Sequence, residues 1–389
     1  ADRPRWRSGH RLRLLRNGEA YFPALLRAIA SARREVFLES YIYRADATGR
    51  KVASALIWAA RRGVTVRLLL DGFGTGQLPR RLRQCLARGG GQLLFFRPER
   101  RLLSLDRQRL RRLHRKVAVI DGRVAFVGGI NILDDVDGPG ERPRYDYAVR
   151  VEGPVVEDLR RLVAHEWRST AWSQLRRGWR RVPPLEAPPP PTGASRAALV
   201  VRDNVRHRHA IETAYLQAIG EAREELILAN AYFLPGRRLR EALLAAAGRG
   251  VRVILLLQSS IDNPLVYFAN QVLYGPFLAA GVQIHEYRSG FMHAKVAVVD
   301  GEWLTVGSTN IDPVSLLAAR EANLLVRDRG LAGLLRRDLL RHIQRDAQPV
   351  TRADWGRQPW WRAALPWLSY QVVRLLLGLT GYGGKAYLE

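Results

Sequence analysis

Lysine is nearly absent from this sequence. Only Lys51, Lys116, Lys295 and Lys385 occur among 63 basic residues, and the rest are arginine. Cysteine is scarcer still: Cys85 stands alone, which excludes an internal disulfide framework and fits a reducing compartment. No cluster of Cys and His has the spacing of a structural metal site. No run reaches the roughly 18–20 uncharged apolar residues that a membrane-spanning helix needs, the C-terminal tail coming nearest. No secretory pattern opens the residues. Acidic residues are in deficit, 36 against 63 basic, so the net charge is +27. Such a chain seeks polyanions, either nucleic acid or an anionic lipid surface, and charge by itself does not choose between them.

What is present is enough apolar material for two cores: 389 residues, 47% of them hydrophobic. Strand-like runs alternate with helical ones, which predicts a layered α/β fold. The order of the first half recurs in the second. Val36–Tyr43 is answered by Leu226–Tyr232. Arg62-Gly63-Val64 to Leu70 is answered by Arg249-Gly250-Val251 to Leu257. Lys116-Val117-Ala118-Val119-Ile120-Asp121-Gly122 is answered by Lys295-Val296-Ala297-Val298-Val299-Asp300-Gly301. A duplication with only two copies predicts a pseudo-symmetric pair of lobes. The expected division is a first lobe over 1–181, a stiff Pro-rich linker over 182–198, a second lobe over 199–348 and a Trp-rich tail over 349–389.

Two segments carry the chemistry. His114, Lys116, Asp121 and Asn131 match His293, Lys295, Asp300 and Asn310, each pair 179 residues apart. Two of the four lysines of the chain fall at the same place in both copies. On a strand, residues i and i+2 point to one face, so each His projects with its Lys, and the next strand can return the Asn beside them. Two lobes placed face to face would gather two imidazoles, two ammonium groups and two amides around one point, which suits a tetrahedral phosphoryl group. The lysines would neutralise its non-bridging oxygens and the amides would donate to them. One imidazole would attack phosphorus and the other would protonate the leaving alkoxide. A metal is not expected, because the lysine at +2 would repel a cation.

A nucleophilic imidazole also needs an orienting partner. Asp146 lies 32 residues after His114 and Glu321 lies 28 residues after His293, each at the start of an apolar strand. Asp121 and Asp300 precede Gly at hairpin turns and are read as structural, bonding nearby backbone amides.

These motifs resemble the paired signatures of the phospholipase D superfamily. Within it, the chain is similar to bacterial cardiolipin synthases of the shorter type, without N-terminal membrane helices. The matching strings are Glu39-Ser40-Tyr41-Ile42-Tyr43, Ala229 to Gly236, His293-Ala294-Lys295 and Gly307-Ser308-Thr309-Asn310-Ile311-Asp312-Pro313, within roughly residues 10 to 330. The resemblance implies two phospholipase D-like lobes, each a mixed sheet flanked by helices, with one shared site at their interface. It implies a covalent phosphohistidine, with His114 as nucleophile and His293 as general acid, and no cofactor. It implies transfer of a phosphatidyl group between two phosphatidylglycerol molecules, with phosphatidylethanolamine as a further donor to consider. It also places Glu39, Tyr41, Asn230, Tyr232 and Ser308 at the substrate, and the protein on the cytoplasmic face of a bacterial inner membrane. Phe291 joins Tyr41 and Tyr232 as candidates to line an alcohol channel. The same chemistry on nucleic acid, or simple lipid hydrolysis, is the alternative. The covalent pair of lobes and the tail favour lipid.

Two further segments bear on a membrane. Residues 97–113 form an Arg-rich insertion next to His114, read either as a solvated loop or as an anionic-lipid contact at the mouth of the site. The tail carries Trp355, Trp360, Trp361 and Trp367, followed by Val372 to Leu379, a composition suited either to a membrane interface or to packing on a lobe.

Overall fold

In a computed structural model, residues 3–76, 78–98, 111–136, 142–203, 207–259, 264–356 and 360–380 are described. Most of the Arg-rich insertion therefore lies outside the described residues. The first lobe contributes strands β1 (Arg7–Arg16), β2 (Glu35–Ser40), β3 (Thr65–Asp71), β4 (Gln92–Phe96), β5 (Lys116–Ile120), β6 (Val124–Gly128) and β7 (Tyr147–Glu152). The second contributes β8 (Ser195–Arg202), β9 (Glu225–Asn230), β10 (Arg252–Gln258), β11 (Gln283–Tyr287), β12 (Lys295–Val299), β13 (Trp303–Gly307), β14 (Glu321–Arg327) and β15 (Ala347–Val350). One half-sheet runs β1-β7-β6-β5-β2-β3-β4, and the other runs β8-β14-β13-β12-β9-β10-β11 with β15 added at its end. The duplication read from the sequence is thus a duplication of topology. The halves join where β1 pairs antiparallel with β8, Arg7 opposite Ala197 and His10 opposite Ser195. Strand β8 begins inside the stretch expected to be linker.

Inner strands such as β5, β10 and β12 are buried on both faces over nearly their whole length, and this is why they read as unbroken apolar runs. Helices α1 (Asn17–Ala30), α2 (Ala47–Arg61) and α3 (Arg80–Arg88) belong to the first lobe, with α4 (Val155–Ser173) closing it. Helices α5 (Ala210–Glu221), α6 (Arg237–Gly248), α7 (Pro264–Gln271), α8 (Tyr274–Ala279) and α9 (Pro313–Leu317) belong to the second, closed by α10 (Arg329–Asp346). Two cores lie on the outer faces, one under α1 and α2, the other under α5 and α6. The third is shared. Val117, Val127 and Val149 of the first half-sheet meet Ile227, Val296 and Leu324 of the second there, filled in by Trp167 of α4 and Leu335 and Leu339 of α10. This common core fixes the lobes against each other.

The tail forms α11 (Arg352–Gly356) and α12 (Trp360–Thr380). It docks on the second lobe. The Trp355 ring lies 5.2 Å from Tyr274, and Tyr370 and Val373 pack against the outer core. The opposite side of α12 presents Leu365, Trp367, Leu368, Val372 and Leu375, each at least 44% exposed. The helix is therefore packed on the lobe on one side, as one of the two readings of the tail expects, and apolar to solvent on the other. Among the described residues, no helix is long and apolar enough to cross a membrane.

Candidate active site

His114 and His293 each stand two residues before the start of the matching strand, β5 or β12, whose first residue is the motif lysine. Each is held by four contacts that obey the same pseudo-symmetry. First, the last residue of β3 or β10 catches the amide just before the histidine. Asp71 Oδ2 accepts from Leu113 N at 2.8 Å, and Gln258 Oε1 accepts from Met292 N at 3.0 Å. Second, the histidine amide donates to the backbone of the other lobe, His114 N to Arg320 O at 3.0 Å and His293 N to Tyr145 O at 2.8 Å. Third, the motif lysine donates from Nζ to the carbonyl of its own histidine, Lys116 to His114 at 2.7 Å and Lys295 to His293 likewise.

The fourth contact carries the site, and it crosses between the lobes. His114 Nδ1 donates to Glu321 Oε1 at 2.9 Å, and His293 Nδ1 donates to Asp146 Oδ2 at 2.8 Å. Sequence spacing places each carboxylate nearest its own lobe's histidine; the fold exchanges them. The reason is topological. The chain entering β7 or β14 runs alongside the other lobe's histidine segment, as the bridges Tyr145–Met292 and Leu113–Arg320 record. With Nδ1 committed to a carboxylate, Nε2 is the nitrogen left to react in each ring.

The supports of the two carboxylates differ. Ser308 Oγ donates to Glu321 Oε2. The matching position is Gly129, where an added Cβ would lie 2.4 Å from Asp146 Oδ1, so glycine is what lets the shorter carboxylate approach. Asn17 makes a clasp on that side, its amide donating to Asp146 O at 2.8 Å while its Oδ1 accepts from Asp146 N at 3.2 Å. Asn17 holds φ 55°, a left-handed conformation that asparagine tolerates. The rings also differ in their aromatic neighbours. Tyr41 meets His114 edge-on at 4.7 Å, and Phe291 stacks on His293 at 5.8 Å.

Electrostatically the site is a buried cluster of both signs. Burial lowers the pKa of His114 and lowers that of His293 well below its ordinary value, with Lys295 and Lys116 adding to the second shift. Both shifts favour the neutral imidazole. Burial pushes Lys116 down to about 7 and Asp146 up to about 7. An anionic ligand would reverse the cationic shifts, because it restores a counter-charge to the lysines and imidazoles.

His114, His293, Asn131, Asn310 and Asp146 line one cavity of about 450 Å³, together with Tyr41, Tyr232 and Phe291. Arg44, Arg112 and Arg144 also line it, as do Asn17, Asp135, Asp312 and Ser315. Three residues expected at the substrate lie elsewhere. Glu39 is 2% exposed, paired with Arg115 at 3.2 Å in a buried group that Glu166 extends to Arg320. Asn230 is wholly buried and accepts from Ile311 N at 3.1 Å. Ser308 serves Glu321, as above. All three act behind the cavity wall, each committed to a partner inside the protein: Glu39 to Arg115, Asn230 to the Ile311 amide and Ser308 to Glu321. Asp121 and Asp300 are remote from the cavity. Asp121 accepts from the amides of Arg33, Arg34 and Glu35 at 2.8–2.9 Å, and Asp300 accepts from those of Arg223, Glu224 and Glu225 at 2.9–3.0 Å. Each motif aspartate ties its hairpin turn to the loop feeding the neighbouring strand, so the amides it bonds are near in space but far in sequence. Of the residues missed, Asp71 and Gln258 were legible as the matched ends of duplicated strands. Asn17 and Arg144 carry no sequence signal of their own.

Comparison with known proteins places the chain in a family. A family model described as "Cardiolipin synthase, PLD-like domain" matches residues 25–167 and 215–343. Cardiolipin synthase B of Escherichia coli strain K12 is 39% identical over 378 residues, covering 97% of this chain and 91% of that protein. Cardiolipin synthase B of Salmonella typhi is 40% identical over the same span. Cardiolipin synthase A of Pseudomonas aeruginosa is 33% identical over 331 residues, covering 84% of this chain and 65% of that protein. Among solved structures, the phosphatidylserine synthase of Haemophilus influenzae Rd KW20 superposes with a TM-score of 0.71 at 12% identity, covering 95% of this chain and 94% of that one, a likeness of fold.

Proposed function

We propose that this chain, which belongs to the cardiolipin synthase family of phospholipase D-like proteins, is itself a cardiolipin synthase that transfers a phosphatidyl group from one phosphatidylglycerol to another. The observation that carries the reading is the crossed pair of His–carboxylate contacts opening on one cavity, since neither lobe holds a complete pair. In the first half-reaction, His114 Nε2 bonds to phosphorus and the P–O bond to the glycerol head breaks. His293, protonated once the anionic substrate is bound, gives its proton to the leaving oxygen, and glycerol departs. In the second, the primary hydroxyl of another phosphatidylglycerol attacks phosphorus. Its proton passes to the now neutral His293, the P–N bond breaks and His114 is restored. Glu321 and Asp146 hold each ring in the Nδ1–H tautomer throughout. Lys116, Lys295 and the carboxamide nitrogens of Asn131 and Asn310 stabilise the charge that develops on the non-bridging oxygens.

The assignment of nucleophile and acid comes from family resemblance. Burial and the two lysines depress His293 more than His114, the reverse of what a resting acid would need. The bound phosphodiester must therefore supply the protonation, which couples acid strength to substrate binding. Arg44, Arg112 and Arg144 around the cavity favour an anionic lipid head. On the same reading the protein is peripheral, lying on the cytoplasmic face of a bacterial inner membrane with the apolar side of α12 in the headgroup layer.

The test is to incubate the protein with phosphatidylglycerol vesicles in EDTA, with and without phosphatidylethanolamine, and weigh the products. Cardiolipin plus free glycerol, little phosphatidic acid and an acid-labile phosphoryl adduct on His114 are expected. An adduct on His293 reverses the two roles. Phosphatidic acid as the main product makes this a hydrolase, and cleavage of DNA or RNA without lipid turnover moves it to nucleic acid.

A further inference from the structure

The two histidine–carboxylate contacts are alike at the bonded atoms and unlike one residue away. Arg115 follows His114, and Arg320 precedes Glu321. Both reach Glu166 of α4. Arg115 Nη2 donates to Glu166 Oε2 at 2.6 Å, and Arg320 Nη1 donates to both oxygens of the same carboxylate. Glu39 adds a second carboxylate to Arg115, 3.2 Å from Nε. The side chains of Arg115, Glu39 and Glu166 are each 2% exposed. One buried carboxylate thus ties the residue after His114, in the first lobe, to the residue before Glu321, in the second. The backbone closes the same loop, with His114 N donating to Arg320 O at 3.0 Å and Arg320 N donating to Arg112 O at 2.7 Å.

The second copy is built differently. The place of Arg115 is taken by Ala294, which has no polar side chain to tie, and that of Arg320 by Tyr145. Tyr145 reaches α10 through neutral hydroxyls: its OH lies 2.5 Å from Tyr147 OH, which donates to Asp338 Oδ2 at 2.6 Å. An ionic clamp therefore grips both sides of the His114–Glu321 contact, while a phenolic chain grips only the carboxylate side of the His293–Asp146 contact.

The difference in strength follows from charge. Hydrogen bonds between guanidinium and carboxylate are about twice as strong as neutral ones. Burial raises the pKa of Glu39 to about 7. Burial acts upward on Glu166 too, yet Arg115 and Arg320 hold its pKa below the ordinary value, so Glu166 is the carboxylate that stays charged. The two roles in the chemistry also differ in what they demand. A nucleophile must meet phosphorus in line in both half-reactions, whereas an acid needs only hydrogen-bond reach of the leaving oxygen.

We propose that Glu166 is a positioning residue for the nucleophile: by clamping Arg115 and Arg320 together it fixes His114 against Glu321 and holds Nε2 in line with phosphorus. The proposal rests on the reading of His114 as the nucleophile of a phosphatidyl transfer.

Proton NMR of the full-length protein reads each contact separately, because a proton held between Nδ1 and a carboxylate resonates far downfield. Loss of a signal in Glu321→Gln identifies that of His114, and loss in Asp146→Asn identifies that of His293. In Glu166→Gln the His114 signal is expected to shift or broaden away while the His293 signal stays. In the same variant kcat on phosphatidylglycerol should fall by roughly 10–10²-fold, the cost of about an ångström of misplacement, with KM held within about twofold. Arg320→Gln cuts the clamp at a less buried member, 24% exposed, and should act in the same direction; it serves if Glu166→Gln does not fold. Tyr145→Phe, the matching cut at the other histidine, should leave the His114 signal in place. An unchanged His114 signal or an unchanged kcat in a folded clamp variant overturns the positioning role, as does movement of both signals together. A phosphoryl adduct on His293 overturns the link to the nucleophile. A wild-type protein that transfers no phosphatidyl group, with its His114 signal still dependent on Glu166, overturns the transferase reading and leaves the clamp standing.

Discussion

The crossed pairing of histidines and carboxylates can be tested without any lipid. Glu321 is fully buried, and its Oε1 accepts a 2.9 Å hydrogen bond from His114 Nδ1 across the lobe interface. A buried hydrogen bond to a charged group contributes about 1.5–3 kcal/mol to stability. Urea unfolding of Glu321→Gln, His114→Ala and the double variant should therefore give a coupling energy of about that size. The cycle of Glu321→Gln with His293→Ala should give a coupling under about 0.5 kcal/mol, as for residues that share no partner. Asp146 should behave in the opposite way, coupling to His293 and not to His114. Activity should follow the same contact. A glutamine at 321 can turn its NH₂ toward Nδ1, and the ring then carries its proton on Nε2, where it cannot attack phosphorus. Loss of the orienting carboxylate in a comparable triad costs about 10⁴ in turnover, and a fall of about 10²–10⁴ is expected here because the amide oxygen can still accept in the other orientation. Coupling of Glu321 to His293 instead of His114, or an active Glu321→Gln enzyme, would refute the crossed arrangement.

Three other outcomes follow from the geometry. With Lys116 brought down to about 7, its ammonium is present below that pH and lost above it, so kcat/KM on phosphatidylglycerol should decline as pH rises through about 7; bound phosphodiester restores the charge, so the same limb of kcat should lie at higher pH. Deleting the tail from Trp355 would uncover Tyr274 and the outer core, so the membrane role of α12 is better tested by Leu368→Asp with Leu375→Asp, both more than half exposed; sedimentation with anionic vesicles should weaken while thermal unfolding is unchanged, and undiminished sedimentation would mean that α12 is not the anchor. Asp121→Ala removes the acceptor of three amides and should lower stability in urea by about 2–3 kcal/mol, at roughly 1 kcal/mol per bond, whereas a variant as stable as the wild type but inactive would make Asp121 chemical.

The sequence by itself determined a good deal of this protein. A constant offset between His114, Lys116, Asn131 and their partners encodes two copies of one strand–turn–strand unit, because alternation along a strand fixes which side chains share a face. The duplicated apolar runs likewise encode two half-sheets of the same strand order. Both kinds of information are local, set by period and turn chemistry within a few residues. Asp146 and Glu321 were also legible as the carboxylates at the heads of matched strands. Their partners were not, since which histidine each one meets depends on how two lobes pack over a shared core, and no spacing along one chain records a rotation between lobes. The same holds for Glu39, Asn230 and Ser308, whose residue types suit a polar site but which the packing turns behind its wall.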